Sequence, residues 1–366
     1  MSKKGQAAAH RKKKKRHAVF KVLCRTGLVL VTMVVLLVIG LCMILGMVFR
    51  GPSKTARDVL TMSLTEASAT KWIPGLFLGE ETVAQIRSKV SAQLPDDVSD
   101  ASKVVIQKDL AVANSDEWKD YPDGIRIQTL SGDTYNAYVM IIKDPSKVYM
   151  ATSSSTFSKS IPGVRINKKI EIEGAAAAIN AGAFFDDGTA SAEVGSVPCG
   201  LVFAGGSCAW DDGTTYDGFV GFNQDDILVV AKSMTKNQAM EQGIRDGCCF
   251  GPVLIMNGVI NEEAYNSNSG YNPRTCIGQR EDGAVIFLCV DGRQAGSLGA
   301  TYADLIDILV ENNAVNACNL DGGSSTVMLY RDTYGIYGEA GQVQMINNYS
   351  LLQQEPRKMP TFFMVR

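Results

Sequence analysis

"NACNLDGGSSTVMLY", residues 316–330, places one acid, two glycines and three hydroxyls between apolar runs. Taken alone, Asp321-Gly322 reads as a turn, because Asp-Gly is a common two-residue hairpin loop. The other reading is the floor of a site, since the loops beyond strand ends are where chemistry is commonly mounted on a rigid scaffold. The segments around it have to decide.

Just upstream, "TYADLIDILVENNA" predicts a helix: Leu305, Ile308 and Leu309 share one face, and Thr301 is placed to cap its start. Earlier, "GIRIQTLSGDTYNAYVMIIKDPSKVYMATSS" has β-rich runs with turn signals at Ser131-Gly132-Asp133 and Asp144-Pro145. A short apolar run and a long Gly-rich loop follow in "AAAAINAGAFFDDGTASAEVGSVPCGLVFAGG". "FVGFNQDDILVVAKS", "CCFGPVLIMNGVI" and "GAVIFLCVDGR" read as further strands. No internal repeat is visible. The expected class is α+β, a strand-rich mixed domain with few helices over residues 120–366.

Charge separates this domain from what precedes it. The 366 residues carry a net charge of −2, but residues 1–50 hold 11 Lys/Arg and no acid, leaving 25 bases against 38 acids beyond. Between the halves, "TGLVLVTMVVLLVIGLCMILGMVF" (26–49) runs 24 residues without a charge. A helix of that length extends about 36 Å, enough for a bilayer core of about 30 Å. The run is too long for a cleaved signal peptide and lacks an Ala-x-Ala-like site. It is therefore expected to be a single-pass signal anchor. "HRKKKKRHAVFKVLCR" on its N-terminal side puts residues 1–25 in the cytoplasm and the rest outside. That basic tail serves as a topology signal, so no nucleic-acid partner is expected. Residues 51–115, with "ARDVLTMSLTEASATKWIPGLFLG" and "EETVAQIRSKVSAQL", read as a helical stalk broken at Pro74-Gly75.

The cysteines and histidines then narrow the chemistry. Of nine cysteines, Cys24 and Cys42 belong to the tail and span. No pair has CxxC spacing, which argues against a zinc knuckle. Cys199 with Cys208, and Cys248 with Cys276, are the candidate disulfides. Both histidines, His10 and His17, lie in the tail. The outer region therefore has no Ser-His-Asp triad, no Cys-His pair and no histidine-ligated metal. No GxxxxGK[ST] phosphate loop is present either. Acid–base chemistry falls to carboxylates, lysines, tyrosines or a carboxylate-bound metal. No cofactor is identified, though a divalent cation such as calcium would suit such ligands. "FFDDG" and "WDDGTTYDG" lack the calcium-loop pattern and read as solvated turns.

Four polar groups sit at ends of apolar runs: Asn180 with Gly182, Arg274, Asp291-Gly292-Arg293, and Asp321 through Thr326. Arginine can grip a phosphate with a bidentate fork, and Gly322-Gly323 would let backbone N–H groups approach it. Paired carboxylates are the usual equipment for glycosidic cleavage. The residue types suit a pocket for an anionic ligand.

"INAGAFFD", "GPVLIMNG", "NPRTCIGQREDGAVIFLCVDGR" and "NLDGGSSTVMLY" resemble, in the same order, the motifs of the phosphodiester glycosidase domain family, whose bacterial members include exopolysaccharide biosynthesis proteins. The resemblance implies removal of a sugar from a sugar-1-phosphate diester. Carried over position by position, it implies Asn180 and Gly182 in the pocket and Arg274 and Arg293 on the phosphodiester. It further implies phosphate-binding roles for Gly322, Gly323, Ser324, Ser325 and Thr326, with Asp321 catalytic and Asp291 or Glu193 the second carboxylate. Ala181 stands where the family has a glycine, and a glycine before the serines is missing, so the resemblance does not reach the substrate. The expected protein is an anchored, outward-facing glycosidase of cell-envelope glycosyl-phosphodiesters or polysaccharide. Its rivals are a noncatalytic module binding anionic wall polymer and a transferase of sugar-phosphate polymers.

Overall fold

The structure is a computed structural model and describes residues 3–65, 70–88, 94, 96–106, 115–185, 195–349 and 355–366. Its contacts divide the chain into two units, Met1–Arg57 and Asp58–Arg366.

The first unit is dominated by one helix, Lys3–Arg50. Within it Arg25–Arg50 is long and apolar enough to cross a membrane. Leu28, Leu37, Met43 and Met47 are each more than 60% exposed. By length and composition this stretch fits either a membrane anchor or a signal sequence.

The second unit is α+β and built on antiparallel sheets. The largest has seven strands in the spatial order Ile125–Ser131, Asn136–Ile142, Val285–Val290, Arg274–Arg280, Ala314–Leu320, Val253–Met256 and Val259–Ile260. A second sheet holds Ser207–Asp211, Leu201–Ala204, Ile244–Cys249, Phe219–Asn223 and Leu228–Ala231. The third holds Val343–Met345, Met328–Arg331, Ala177–Asn180, Thr361–Val365 and Val148–Thr152. Strand existence follows from β-branched and aromatic runs such as "VIFLCV".

One face of the seven-stranded sheet, including Ile277, Phe287, Cys289 and Leu320, shares a core with Val202, Phe222, Ile179 and Phe363 of the other two sheets. The opposite face, including Cys276, Leu288 and Val290, lies under Leu305, Ile306 and Leu309 of the helix Tyr302–Glu311. The central strands are thus buried on both sides, which is why their sequences run continuously apolar instead of alternating. The covering helix starts in a capping box, with the Thr301 and Asp304 side chains exchanging bonds with each other's backbone N–H. Each fully buried leucine on its face contributes about 1.5–3 kcal/mol.

Two-sided burial also settles the cysteines. Cys248 belongs to the core between the sheets and Cys276 to the core under the helix, so the sheet itself separates them. Cys199, Cys208, Cys248 and Cys276 are all free thiols. The two disulfides anticipated from spacing are absent.

Candidate active site

Both Asp-Gly pairs flank one strand. In the ladder Arg274 lies opposite Val290, and Thr275 lies opposite Leu320. One step further, Asp321 falls beside Arg274 while Asp291 falls beside Pro273. Cross-strand partners share a face and successive residues alternate. Asp321 therefore emerges on Arg274's side of the sheet, and Asp291 on the other.

The two glycines are required by Pro273, not by turns. Neither has a positive φ. A side-chain carbon at Gly292 would lie 2.6 Å from the Pro273 nitrogen, and one at Gly322 2.7 Å from the Pro273 oxygen. Gly323 does adopt the left-handed conformation, at φ +62°, and its N–H donates to the Pro273 carbonyl at 2.9 Å. Residues 323–325 form one 3-10 turn.

On the Arg274 side lies a cleft of about 670 Å³ lined by Arg274, Tyr302, Asn319, Asp321, Gly322 and Gly323 on one wall. Tyr216, Asp217, Lys232 and the segment Phe250–Val253 line the other, with Met62, Thr65 and Arg87 contributed from before the strand-rich region. Arg274 is only 3% exposed. Its guanidinium donates to the carbonyls of Ser269 (2.9 Å), Gly270 (3.3 Å) and Ala300 (3.3 Å), and stacks on the Tyr302 ring at 4.2 Å. Backbone dipoles and a π-face hold this cation in place before any ligand arrives. Asp321 is half-buried. Its N–H donates to the Ala181 carbonyl at 3.0 Å, and its own carbonyl accepts from the Asn180 amide. Burial pushes the Cys199 thiol and the Tyr216 hydroxyl up, and the Asp321 charge adds to both shifts.

Asn180 is fully buried. Its Oδ1 accepts from the Thr275 hydroxyl (2.8 Å) and the Val327 N–H (3.2 Å). It thus pins both ends of the Asp321 loop to the Arg274 strand. Gly182 leaves room for Cys248, whose Cβ lies 2.8 Å from where a side chain would begin. Both residues act behind the cleft wall.

Asp291 lies in a separate network. Its carboxylate accepts from the Asn348 N–H (2.9 Å), the Asn348 amide (2.8 Å) and the Tyr138 hydroxyl (3.0 Å), with the Asn347 amide at 3.5 Å. Burial pushes its carboxyl up, and these bonds pull against the shift. Burial and the Asp291 charge push the Tyr138 hydroxyl up to about 12. Arg293 is exposed at φ +57° and donates to the buried Asn272 Oδ1 at 2.7 Å. Ser324 gives its carbonyl to the Tyr349 hydroxyl and its Oγ to Arg357 at 3.3 Å. The Ser325 and Thr326 hydroxyls are buried without a hydrogen-bond partner among the described residues. Glu193 lies outside the described residues. Among those described, no group of three or more His, Cys, Asp or Glu side chains is arranged to hold a metal.

Several contributors carried no signal in the sequence. Tyr302 read only as helix, and Asn348, Tyr349 and Arg357 belong to no recognisable motif. Asp217 read as part of a solvated turn.

Residues 173–366 match the phosphodiester glycosidase family model. A 90-residue stretch is 32% identical to the SPbeta prophage-derived uncharacterized protein YomE of Bacillus subtilis, covering 24% of this chain and 14% of that protein. The chain thus matches only about a seventh of the length of that curated relative. Among solved structures, the zebrafish N-acetylglucosamine-1-phosphodiester alpha-N-acetylglucosaminidase catalytic domain, auto-inhibited by its pro-peptide, shares the fold at TM-score 0.52 and 19% identity. That likeness covers 66% of this chain and 82% of the zebrafish one. A hypothetical protein from Synechocystis also aligns, at TM-score 0.43 and 16% identity, over 66% of this chain and 61% of its own. With more than half of its residues matched by the family model, and its Asp-Gly strand ends on either side of Arg274, this chain belongs to the phosphodiester glycosidase family.

Proposed function

We propose that this protein is a membrane-anchored hydrolase that cleaves the glycosidic C–O bond of a sugar-1-phosphate diester in the cell envelope. Residues 26–49 span the bilayer, and the basic tail 1–25 stays on the cytoplasmic side. The observation that carries the reading is the convergence of a buried, pre-oriented Arg274 with Asp321 on one cleft wall. In this reaction the departing group is a phosphomonoester, an anion whose second proton leaves near about pH 6. Its departure needs charge stabilisation more than a proton. Arg274 supplies that stabilisation, and the Gly322-Gly323 backbone can approach the same phosphate oxygens.

One carboxylate then suffices at the sugar. Asp321 takes a proton from water as that water's oxygen bonds to the anomeric carbon, and the C–O bond electrons leave with the phosphate. Inversion at the anomeric carbon identifies this route, whereas retention identifies Asp321 as a nucleophile forming a glycosyl–enzyme ester. Asp291 and Asn180 are positioning residues that hold the strand ends on either side of Arg274.

The test incubates the detergent-solubilised full chain with a methyl N-acetylglucosamine-1-phosphodiester in oxygen-18 water. Label in the released sugar is the expected result. Label in the phosphate makes the protein a phosphodiesterase. Transfer of the sugar phosphate to an added glycan acceptor makes it a transferase, and polymer binding without turnover makes it a binding module.

A further inference from the structure

The cleft lining includes cations besides Arg274, and part of it is built by the segment that precedes the strand-rich region. Helix Lys54–Thr65 contributes Met62 and Thr65 to the lining, and helix Glu80–Ser88 contributes Arg87. Neither is loosely attached. Thr61 and Met62 are buried, as are Val83 and Ile86. The Tyr271 N–H donates to the Ser63 Oγ at 3.1 Å. Gly270 sits so close that a side-chain carbon there would lie 2.7 Å from the Ser63 nitrogen and 2.9 Å from the Val59 carbonyl. The same loop provides the Ser269 and Gly270 carbonyls that hold Arg274. This collar is therefore part of the wall that positions the catalytic arginine.

Arg87 is exposed within the cleft and has no ion pair among the described residues. Its charge reaches Tyr216 on the facing wall, where it opposes that hydroxyl's upward shift. Lys232 lies on the same rim, next to the loop through its carbonyl's bond from the Gly218 N–H. Among the described residues its ammonium is paired at 3.2 Å with Asp97, whose side chain is 92% exposed. Such a surface pair is weak and easily exchanged. Apart from Asp321, the carboxylate among the described residues lining the cleft is Asp217, which is exposed. A diester carries one negative charge, which Arg274 can meet, and two further cations along the same cleft suit a substrate with a second anionic group.

We propose that Arg87 and Lys232 form a second anion subsite, and that the substrate is a polyanionic chain whose next phosphate on the aglycone side docks between the collar and the Tyr216 loop. This rests on the glycosidase reading above. The collar is on this view a specificity element that selects repeating glycosyl-phosphate over an isolated diester.

The experiment compares kcat/KM of the full chain for the methyl N-acetylglucosamine-1-phosphodiester and for a short oligomer of N-acetylglucosamine 1-phosphate. The wild type should prefer the oligomer, and added salt should erode the preference by screening. Arg87→Gln should lower that preference about tenfold, through KM on the oligomer, as expected for one charge-assisted contact. Arg87→Lys should keep most of it, and Lys232→Gln should show a smaller loss. Lys236→Gln, the same charge change at an exposed site outside the cleft, should leave the preference at the wild-type value. Equal kcat/KM for both substrates, unmoved by Arg87→Gln, overturns the subsite while leaving the glycosidase reading intact. Faster turnover in Arg87→Gln overturns it too, because the collar would then be a block. Failure to cleave either substrate overturns both readings.

Discussion

Asp291-Gly292 and Asp321-Gly322 are the same dipeptide, each ending an apolar strand, each pressed against Pro273 from one side. Their surroundings nevertheless differ completely. Asp321 opens onto a cleft with Arg274, whereas Asp291 is 2% exposed and occupied by Asn348 and Tyr138. The difference comes from one residue of register: Arg274 pairs with Val290, but Thr275 pairs with Leu320. In a pleated sheet that offset sends the two carboxylates to opposite faces. Identical local sequences thus place one carboxylate in the cleft and the other in a buried hydrogen-bond network.

Substitution at each aspartate should separate these roles. Asp321→Asn should cost about 10²–10⁴-fold in turnover, the range for a positioned base, with thermal unfolding unchanged; full activity would remove Asp321 from the mechanism. Asp291→Ala leaves the Asn348 amide and Tyr138 hydroxyl without their acceptor. It should lower stability by about 2–4 kcal/mol, read as a fall in Tm, while turnover below the new Tm stays within about tenfold of wild type. A loss at Asp291 matching that at Asp321 would break the contrast.

Smaller effects sharpen it. Gly292→Ala and Gly322→Ala both drive a methyl against Pro273 and should each cost about 1–3 kcal/mol. Only the second displaces the cleft floor, so it should also reduce kcat. The smallest effect is in pH. Burial raises the native pKa of Asp291 above the ordinary 3.8, so the folded state holds this proton more tightly than the unfolded chain. Its stabilising contribution is complete below that ordinary value and is lost as pH rises through the raised one. Chemical denaturation between about pH 4 and pH 7 should therefore show the wild type losing stability relative to Asp291→Asn. An unchanged difference would mean that the hydrogen bonds fully offset the burial.

Much of this was legible in the residues. The uncharged run 26–49 sufficed for one long apolar helix, and alternation between apolar runs and turn signals sufficed for a strand-rich α+β class, because both depend on local composition. Thr301 and the Leu305 face were readable as a capped helix for the same reason. Arg274 and Asp321 could be nominated by residue type and by family resemblance. Two readings that depended on spacing alone went elsewhere. Cys248 and Cys276 do not pair, because the seven-stranded sheet stands between their cores. The Asp-Gly glycines answer to Pro273 instead of to hairpin geometry.

What the chain determined by itself was therefore an inventory: a membrane-length helix, a region beyond it without histidine, and carboxylates and arginines at strand ends. Only the tertiary structure decided which of them meet. Strand register put Asp321 with Arg274 and turned Asp291 away. Packing of Ser63 against Gly270 brought the collar, and Arg87 with it, to the same cleft. These outcomes depend on contacts between residues some 200 positions apart, such as Ser63 with Tyr271. Side-chain periods of two or 3.6 residues carry no information over such distances.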